Sequence, residues 1–403
     1  LTRQLHRHLR SLRLDDEAGD SFNYQVMATV EKLAAEIIAR SNREHPADTV
    51  LRERLKAAKL PRAESRAVAE LVFTFFRWRG WLDLAAPMSQ QLAAVRELDF
   101  QFSSDPDSFS TEDLKRAVPD WIGQELDITR EWLLSLQTHP TLWLRAKHGT
   151  GKQLANNLGD CVRGKELLQD AVEYQGDEDL FHAPEFHAGD FEVQDIASQI
   201  VGLLCAPEPG ETWWDACAGE GGKLLHLSDL MQNKGLIWAS DRSERRLARL
   251  KQRAARAKAF NYRVAAWDGS AKLPTKTKFD GVLIDAPCSG VGTWQRNPHA
   301  RWTTTLEDVR ELAAVQQRLV LHTAAAVKPG GRLIYSVCTL TRAEADAVAD
   351  SCSPQLSGFA PTPLPALPNA PPGASDRIWI WPQTYRGNGM FVVSWKRLSK
   401  GLR

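Results

Sequence analysis

No apolar run in this chain approaches the ~18–20 residues a membrane-spanning helix needs, so no membrane partner is expected. There is also no Cys-x-x-Cys pair. The six cysteines (Cys161, Cys205, Cys217, Cys288, Cys338 and Cys352) are scattered, which supports neither a zinc site nor a disulfide framework. No metal is expected, and a reducing, cytoplasmic setting fits free thiols. Net charge is nearly absent as well. Fifty-one Lys and Arg face 50 Asp and Glu, so a nucleic-acid partner would have to be met by a local basic face. No internal repeat is visible. Residues 1–14 are basic and contain no acid, but they lack the apolar stretch of a secretory signal. They read as a basic first helix, with a transit peptide as the alternative.

What is present is ordinary globular material. The 403 residues are 43% hydrophobic and 25% charged, enough for two or three domains with real cores. The first 140 residues carry the 3.6-residue period of helices, as in Val26, Val30, Leu33 and Ile37, and again in Val68, Leu71, Val72, Phe75 and Phe76. Between 141 and 192 the texture is mixed, with a strand at 142–145 and a short helix at 152–158. From 193 onward strands and helices alternate, which predicts a doubly wound α/β sheet. Strands are expected at 212–215, 236–240, 262–266, 281–284 and 332–337. Seven prolines between 354 and 372 predict an extended connector. Two last strands, 378–381 and 390–395, should form an antiparallel hairpin around Gly387-Asn388-Gly389.

A Gly-rich segment, Asp215-Ala-Cys-Ala-Gly-Glu-Gly-Gly-Lys223, follows a predicted strand and opens a helix. In doubly wound sheets ligands bind outside the carboxyl ends of the strands. Asp241 ends the next strand, where an acid can grip ribose hydroxyls, and Asp268 ends the third. Asp215 and Glu220 would repel a pyrophosphate and suit a cationic ligand. S-adenosylmethionine carries a sulfonium, an ammonium and an adenosine and no phosphate, so it is preferred over NAD as cofactor. Gly149-Thr-Gly-Lys152 is not a phosphate loop, because Ala146 replaces the leading Gly and Gln153 the Ser/Thr.

Two cysteines fall just past predicted strands, in Asp285-Ala-Pro-Cys288-Ser-Gly290 and in Ser336-Val-Cys338-Thr. Both belong on the same rim of the sheet as the Gly loop. A thiol beside a methyl donor suits methylation at C5 of cytosine. A thiolate adding at C6 turns C5 into an enamine-like nucleophile, and nearby positive charge, here Lys223, helps ionise the thiol. Asp285 is placed to hydrogen-bond the ring near N3.

With these residues the chain resembles the RsmB/Nop/Sun family of RNA cytosine-5 methyltransferases, from about residue 141 to the C-terminus and more weakly before it. The blocks 215–223, 285–290 and 336–339 carry the resemblance, together with 191–198 and Arg296-Asn-Pro-His-Ala-Arg-Trp302. It implies Cys338 as nucleophile and Cys288 as the cysteine that releases the product, with Asp285 and Lys223 assisting. Cys217, Ala218, Gly219, Glu220, Gly221, Gly222, Lys223, Asp241, Asp268 and Asp285 would surround S-adenosylmethionine. The implied fold is a class I methyltransferase-like doubly wound α/β sheet with a C-terminal antiparallel hairpin. A small α+β unit and an all-α domain precede it. The divisions are 1–140 (NusB-like, RNA-binding), 141–192 (RNA-recognition-like) and 193–403 (methyltransferase). Three departures stand out: Gly219-Glu220 where Ala-Pro is common, His299 where Asp is frequent, and Asn388-Gly389-Met390-Phe391 for an Asp-Gly-Phe-Phe-like ending.

Residues 242–263 hold nine Lys and Arg against one acid, Glu244. Phosphate binding and a solvated helix face are both open readings of that run. Arg246, Arg296, His299, Arg301 and Trp302 are expected to contact RNA, cations holding the backbone and the aromatic stacking a base. The expected partner is RNA, ribosomal before transfer RNA, acted on by a monomer. The alternatives are a DNA cytosine methyltransferase, which lacks support because no Glu-Asn-Val block is found, a catalytically weak ribosome-assembly factor, and a dehydrogenase, disfavoured by the acidic loop.

Overall fold

The structure is a computed structural model that describes residues 17–367 and 375–399. The basic segment 1–14 lies outside the described residues. The chain divides into two compact units. One comprises Leu1–His139 and Trp294–Thr305, the other Pro140–Thr293 and Leu306–Arg403.

The first unit is helical. Its longer helices are α1 (Glu17–Arg40), α2 (Ala47–Ala58), α3 (Arg62–Trp78), α4 (Met88–Ser104) and α5 (Arg130–Gln137). Pro46, Pro61 and Pro87 stand at the N-caps of α2, α3 and α4. Proline fixes φ near its helical value and disfavours helix in the residue before it, so each start is sharp. The predicted stripe on α3 is buried, and Trp78 packs edge-on against Trp81 and Phe102. Trp294–Thr305 belongs to this helical core, although its flanking residues lie in the other unit. The sequence places it in the α/β part, because connectivity alone does not show where a loop packs.

The second unit holds two sheets. A four-stranded antiparallel sheet has the order β2-β3-β1-β4, from β1 (Leu142–Ala146), β2 (Cys161–Arg163), β3 (Ala171–Tyr174) and β4 (Phe191–Val193). Helix α6 (Gly151–Leu158) packs on it and α7 (Ile196–Cys205) follows. It groups with the large sheet rather than standing as a third unit.

The large sheet contains β5 (Thr212–Asp215), β6 (Leu236–Asp241), β7 (Tyr262–Ala266), β8 (Phe279–Asp285), β9 (Val327–Val337), β10 (Phe359–Pro361), β11 (Arg377–Ile380) and β12 (Met390–Arg397). Its order is β10-β12-β9-β8-β5-β6-β7, with β11 also paired to β12. Strands β5 to β9 are parallel and β12 is antiparallel. This is the class I methyltransferase arrangement, and the order reverses between β5 and β8. Helices α8 (Gly222–Leu230), α9 (Glu244–Ala257), α10 (Leu306–Ala324) and α11 (Asp346–Cys352) complete the unit.

Adjacent residues of β5 show why the sheet is two-faced. Trp213 enters one apolar cluster and Trp214 the other, as the two-residue period of a strand requires. Three expectations are corrected. The last strands pair antiparallel, but their connection is a longer loop containing the helical turn Pro382–Tyr385, not a tight turn. Strand β9 begins at Val327, earlier than the strand expected from 332, directly after α10 ends at Ala324. The proline-rich connector contains β10, because Pro361 sits at the end of a strand that, among the described residues, pairs only with β12.

Candidate active site

Strand β5 delivers Asp215 to the switch point, and the Gly loop runs from there into α8. Gly219 and Gly221 have φ of +56° and +86°. A Cβ on Gly221 would stand 2.7 Å from Leu250 Cγ, so both conformation and space demand glycine there. Asp241, at the end of β6, ties the loop down. Its Oδ2 accepts from Gly219 N (3.0 Å) and Arg246 Nη1 (3.3 Å), and its Oδ1 accepts from Ser243 N (2.8 Å). Three contacts leave one of its roughly four lone-pair positions for a ligand hydroxyl.

The loop's charge is not where the sequence suggested. Asp215 is fully buried and neither carboxylate oxygen has a hydrogen-bond partner. Burial, then the nearby Asp285 carboxylate, pushes its pKa up to about 7. Glu220 pairs with Arg249 at 2.6 Å, and Arg253 donates to its carbonyl. The acids that shape the rim are Asp241 and Asp285. Asp268 is exposed beyond β7, and the Ser270 N–H bonded to it at 2.9 Å holds its carboxyl below the usual range. Burial, then Asp215, Asp285 and Asp241, pushes the Cys217 thiol up, which leaves Cys217 a small packing residue of the loop.

Strands β8 and β9 are parallel neighbours with Asp285 opposite Ser336, so both cysteine-bearing turns leave the sheet at one rim. Cys288 Sγ and Cys338 Sγ lie 3.3 Å apart. Lys223 Nζ donates to Asp285 Oδ2 at 2.6 Å, and Ser336 Oγ donates to Asp285 Oδ1 at 3.0 Å. Burial works against the Lys223 ammonium, but Asp285 outweighs it and raises the pKa, with Cys338 adding in the same direction. The hydrogen bond to Cys338, then burial, holds the Cys288 thiol well above its usual range.

The residues expected on RNA are mostly elsewhere. Arg246 serves the Asp241 rim, while Arg296 is exposed. His299 is buried with its ring 4.6 Å from that of Phe76. Arg301 is fully buried and donates to the carbonyls of Trp294, Arg77 and Leu136. Trp302 donates to Phe76 O at 2.7 Å, with Arg79 over its ring. His299 and Arg301 are therefore core of the helical unit, and their assignment to RNA is corrected, while Trp302 is half-buried against the same helices.

Sequence reasoning missed Glu344. It is fully buried, and its carboxylate accepts from Ser289 N (2.8 Å), Ser289 Oγ, Thr341 Oγ1 (2.9 Å) and Gln316 Nε2 (2.9 Å). Only its position shortly after Cys338 could have singled it out.

No helix among the described residues is long and apolar enough to cross a membrane, and none of their His, Cys, Asp and Glu form a group of three able to hold a metal ion. A family model described as 16S rRNA methyltransferase RsmB/F matches residues 202–396. A Synechocystis protein named probable ribosomal RNA small subunit methyltransferase B is 34% identical over 53% of this chain and 49% of its own length. A mouse protein named tRNA (cytosine(72)-C(5))-methyltransferase NSUN6 is 31% identical over 49% of this chain and 45% of its own. The chain thus spans about half the length of the curated relatives it matches. The solved structure of PH0851 shares the fold, with a TM-score of 0.74 at 23% identity over 92% of this chain and 98% of that one. The stretch 202–396, which carries the Gly loop and both cysteine turns, is thus similar to the RsmB/F family of methyltransferases.

Proposed function

We propose that the protein methylates C5 of a cytosine in RNA, using S-adenosylmethionine and a transient covalent bond from Cys338. The observation that carries this reading is the pair of sulfurs, 3.3 Å apart, on the rim that also holds the Lys223–Asp285 pair. The residues fit the cofactor. Gly219 and Gly221 present bare backbone to a ligand while the Glu220 side chain between them is held by Arg249, Asp241 keeps one acceptor position, and Asp241 and Asp285 suit a cation better than a pyrophosphate. Residues 217–223, Asp241, Asp268 and Asp285 would hold it. When bound it supplies an electrophilic methyl group.

The chain's own residues do the rest. The Cys338 thiolate bonds to C6 of the cytosine, and the C5=C6 electron pair becomes the nucleophile at C5. Lys223 stabilises negative charge at the site, while its salt bridge keeps the Asp285 carboxyl beside the ring. Once C5 has gained its methyl group, the C5 proton passes to solvent water, and the Cys288 thiol, 3.3 Å from Cys338, assists release of the adduct by hydrogen-bonding the departing sulfur. The electrons left at C5 restore the double bond and expel Cys338 as thiolate. A cytosine in structured RNA must swing out to reach the rim.

Ribosomal RNA is the favoured substrate, supported by the names of the bacterial relatives, with transfer RNA second because of the NSUN6 likeness. A cytoplasmic monomer completes the proposal. Cys338→Ala should abolish methyl transfer while cofactor affinity stays near wild type, and turnover by that variant would sink the assignment. Cys288→Ala should accumulate an RNA–protein adduct, seen as a slow-migrating, nuclease-sensitive band. Bisulfite sequencing of RNA from a deletion strain identifies the cytosine.

A further inference from the structure

The two sulfurs are nearly interchangeable by distance alone, and what separates them lies behind Cys288. Ser289, the next residue, gives both its N–H and its hydroxyl to Glu344. Ser289 Oγ also lies 3.0 Å from Thr339 Oγ1, the residue after Cys338. Gln316 joins the same cluster from α10, donating to Glu344 and to Pro287 O (2.8 Å) and accepting from Tyr335 OH (2.9 Å). Glu344, Gln316, Thr339, Thr341 and Tyr335 are all fully buried. The four donors to the carboxylate are neutral, so among the described residues its negative charge is met by no Lys or Arg. Lys223, the buried cation of the site, is instead engaged by Asp285.

We infer that Glu344 is a positioning residue that clamps the Cys288 turn against the Cys338 turn, and that its buried charge keeps the shared hydrogen of the sulfur pair on Cys288, leaving Cys338 to act as thiolate. This rests on the methyltransferase reading for its catalytic consequence, but not for its chemistry. A hydrogen-bonded carboxylate that stays ionised in a dry interior disfavours a second negative charge nearby. The groups that face Cys288 act consistently. Cys338 and Glu344 both raise its pKa, and the Gly290 N–H opposes them. The Tyr335 phenol, also close to Cys288, is itself held well above its usual range by burial first and then by Cys288. Lys223 and Asp285 interact with each other, and the Lys223 charge is coupled to Cys338. Glu344 thus adds its charge to the larger effects of the Cys338 hydrogen bond and of burial, all of which keep the hydrogen on Cys288.

The test uses the full chain and Glu344→Gln, which keeps volume and removes charge. An amide can still accept from Ser289 N and Gln316 and donate to the Ser289 hydroxyl, so the fold is expected to hold. Iodoacetamide labelling across pH, mapped by mass spectrometry, should place alkylation on Cys338 in the unaltered protein. In Glu344→Gln it should spread to Cys288, with onset at lower pH for Cys288. Turnover should fall about 100-fold, the scale of loss that a misplacement of about 1 Å produces. A folded variant with the original labelling ratio and pH profile overturns the inference. If Glu344→Gln does not fold, Ser289→Ala decides. It removes one donor from the clamp and keeps the charge, so alkylation should stay on Cys338 while the RNA adduct accumulates. An adduct level equal to wild type in that folded variant overturns the clamp. Labelling needs no RNA, so a chain that methylates nothing would refute the proposed function and leave the Glu344 result standing by itself.

Discussion

Asp215 shows how far a single residue's surroundings decide its chemistry. By sequence it is the acid that opens the Gly loop and repels phosphate. In the folded chain it is enclosed and its oxygens have no hydrogen-bond partners, with a pKa of about 7. Its folded pKa lies above that of an unfolded aspartate, so between about pH 4 and 7 the folded state binds more protons than the unfolded one. Stability must then fall as pH rises through that window, by an amount on the order of a few kcal/mol. Asp215→Asn carries no such charge. Its melting temperature should change less between pH 5 and 8 than that of the wild-type chain. Parallel pH curves for the two proteins would show that Asp215 is ionised and satisfied. The same logic accounts for why Cys205 and Cys217 are not rivals for Cys338, since burial pushes both thiols up.

At the scale of elements, the rim is built by two strand–turn units and one strand–loop–helix unit. Within β8 the apolar run 281–284 ends in an acid, and within β9 the run 333–335 leads into Ser336-Val337, so both cysteines can be placed on one rim from sequence alone. The Gly loop is equally legible, because clustered glycines between a strand and a helix mark a turn where backbone must come close to something else. What cannot be read is which groups neutralise each other. The Glu220–Arg249 pair joins residues far apart in the chain, and Glu344 finds its partners on three separate segments. Periodicity carries no information about such pairings. The loop before β12 misleads for a related reason. Gly387-Asn388-Gly389 reads as a hairpin turn, but Asn388 N bonds to Asp195, the residue that caps α7, and Gly389 N bonds to Gly292 O. At this scale Gly221→Ala is the informative change. The added methyl meets Leu250 and the backbone holds φ at +86°, so the loop or α9 must shift. The cost should be about 1–3 kcal/mol. Calorimetric titration with S-adenosylmethionine should show affinity falling at least tenfold, while unchanged affinity would mean that the ligand does not depend on this turn.

For the molecule as a whole, the exchange of Trp294–Thr305 matters most. The helical unit does not end at residue 139. Its core is completed by a segment that leaves the α/β unit a few residues beyond Cys288 and returns at Leu306. Within the helical unit Gln295 Nε2 donates to Thr138 Oγ1 at 2.7 Å, Trp302 to Phe76 O, and Arg301 to three carbonyls. Trp294 and Arg301 are fully buried. A cut at the apparent domain boundary therefore damages both pieces. A fragment of 140–403 carries Trp294 and Arg301 without the helices that bury them, and 1–139 lacks that tryptophan and the cation that satisfies its carbonyls. Loss of methylation on deleting 1–139 would for that reason not demonstrate a lost RNA contact. A peptide of residues 294–305 added to the 1–139 fragment tells lost core from lost RNA contact. If the segment is core, the peptide should bind and raise the fragment's melting temperature in proportion to the logarithm of its concentration, once it exceeds Kd. A peptide in which Trp294 and Arg301 are both alanine should do neither. An equal shift from both peptides, or from neither, would mean that the helices fold without this segment and that His299, Arg301 and Trp302 are free to contact RNA after all.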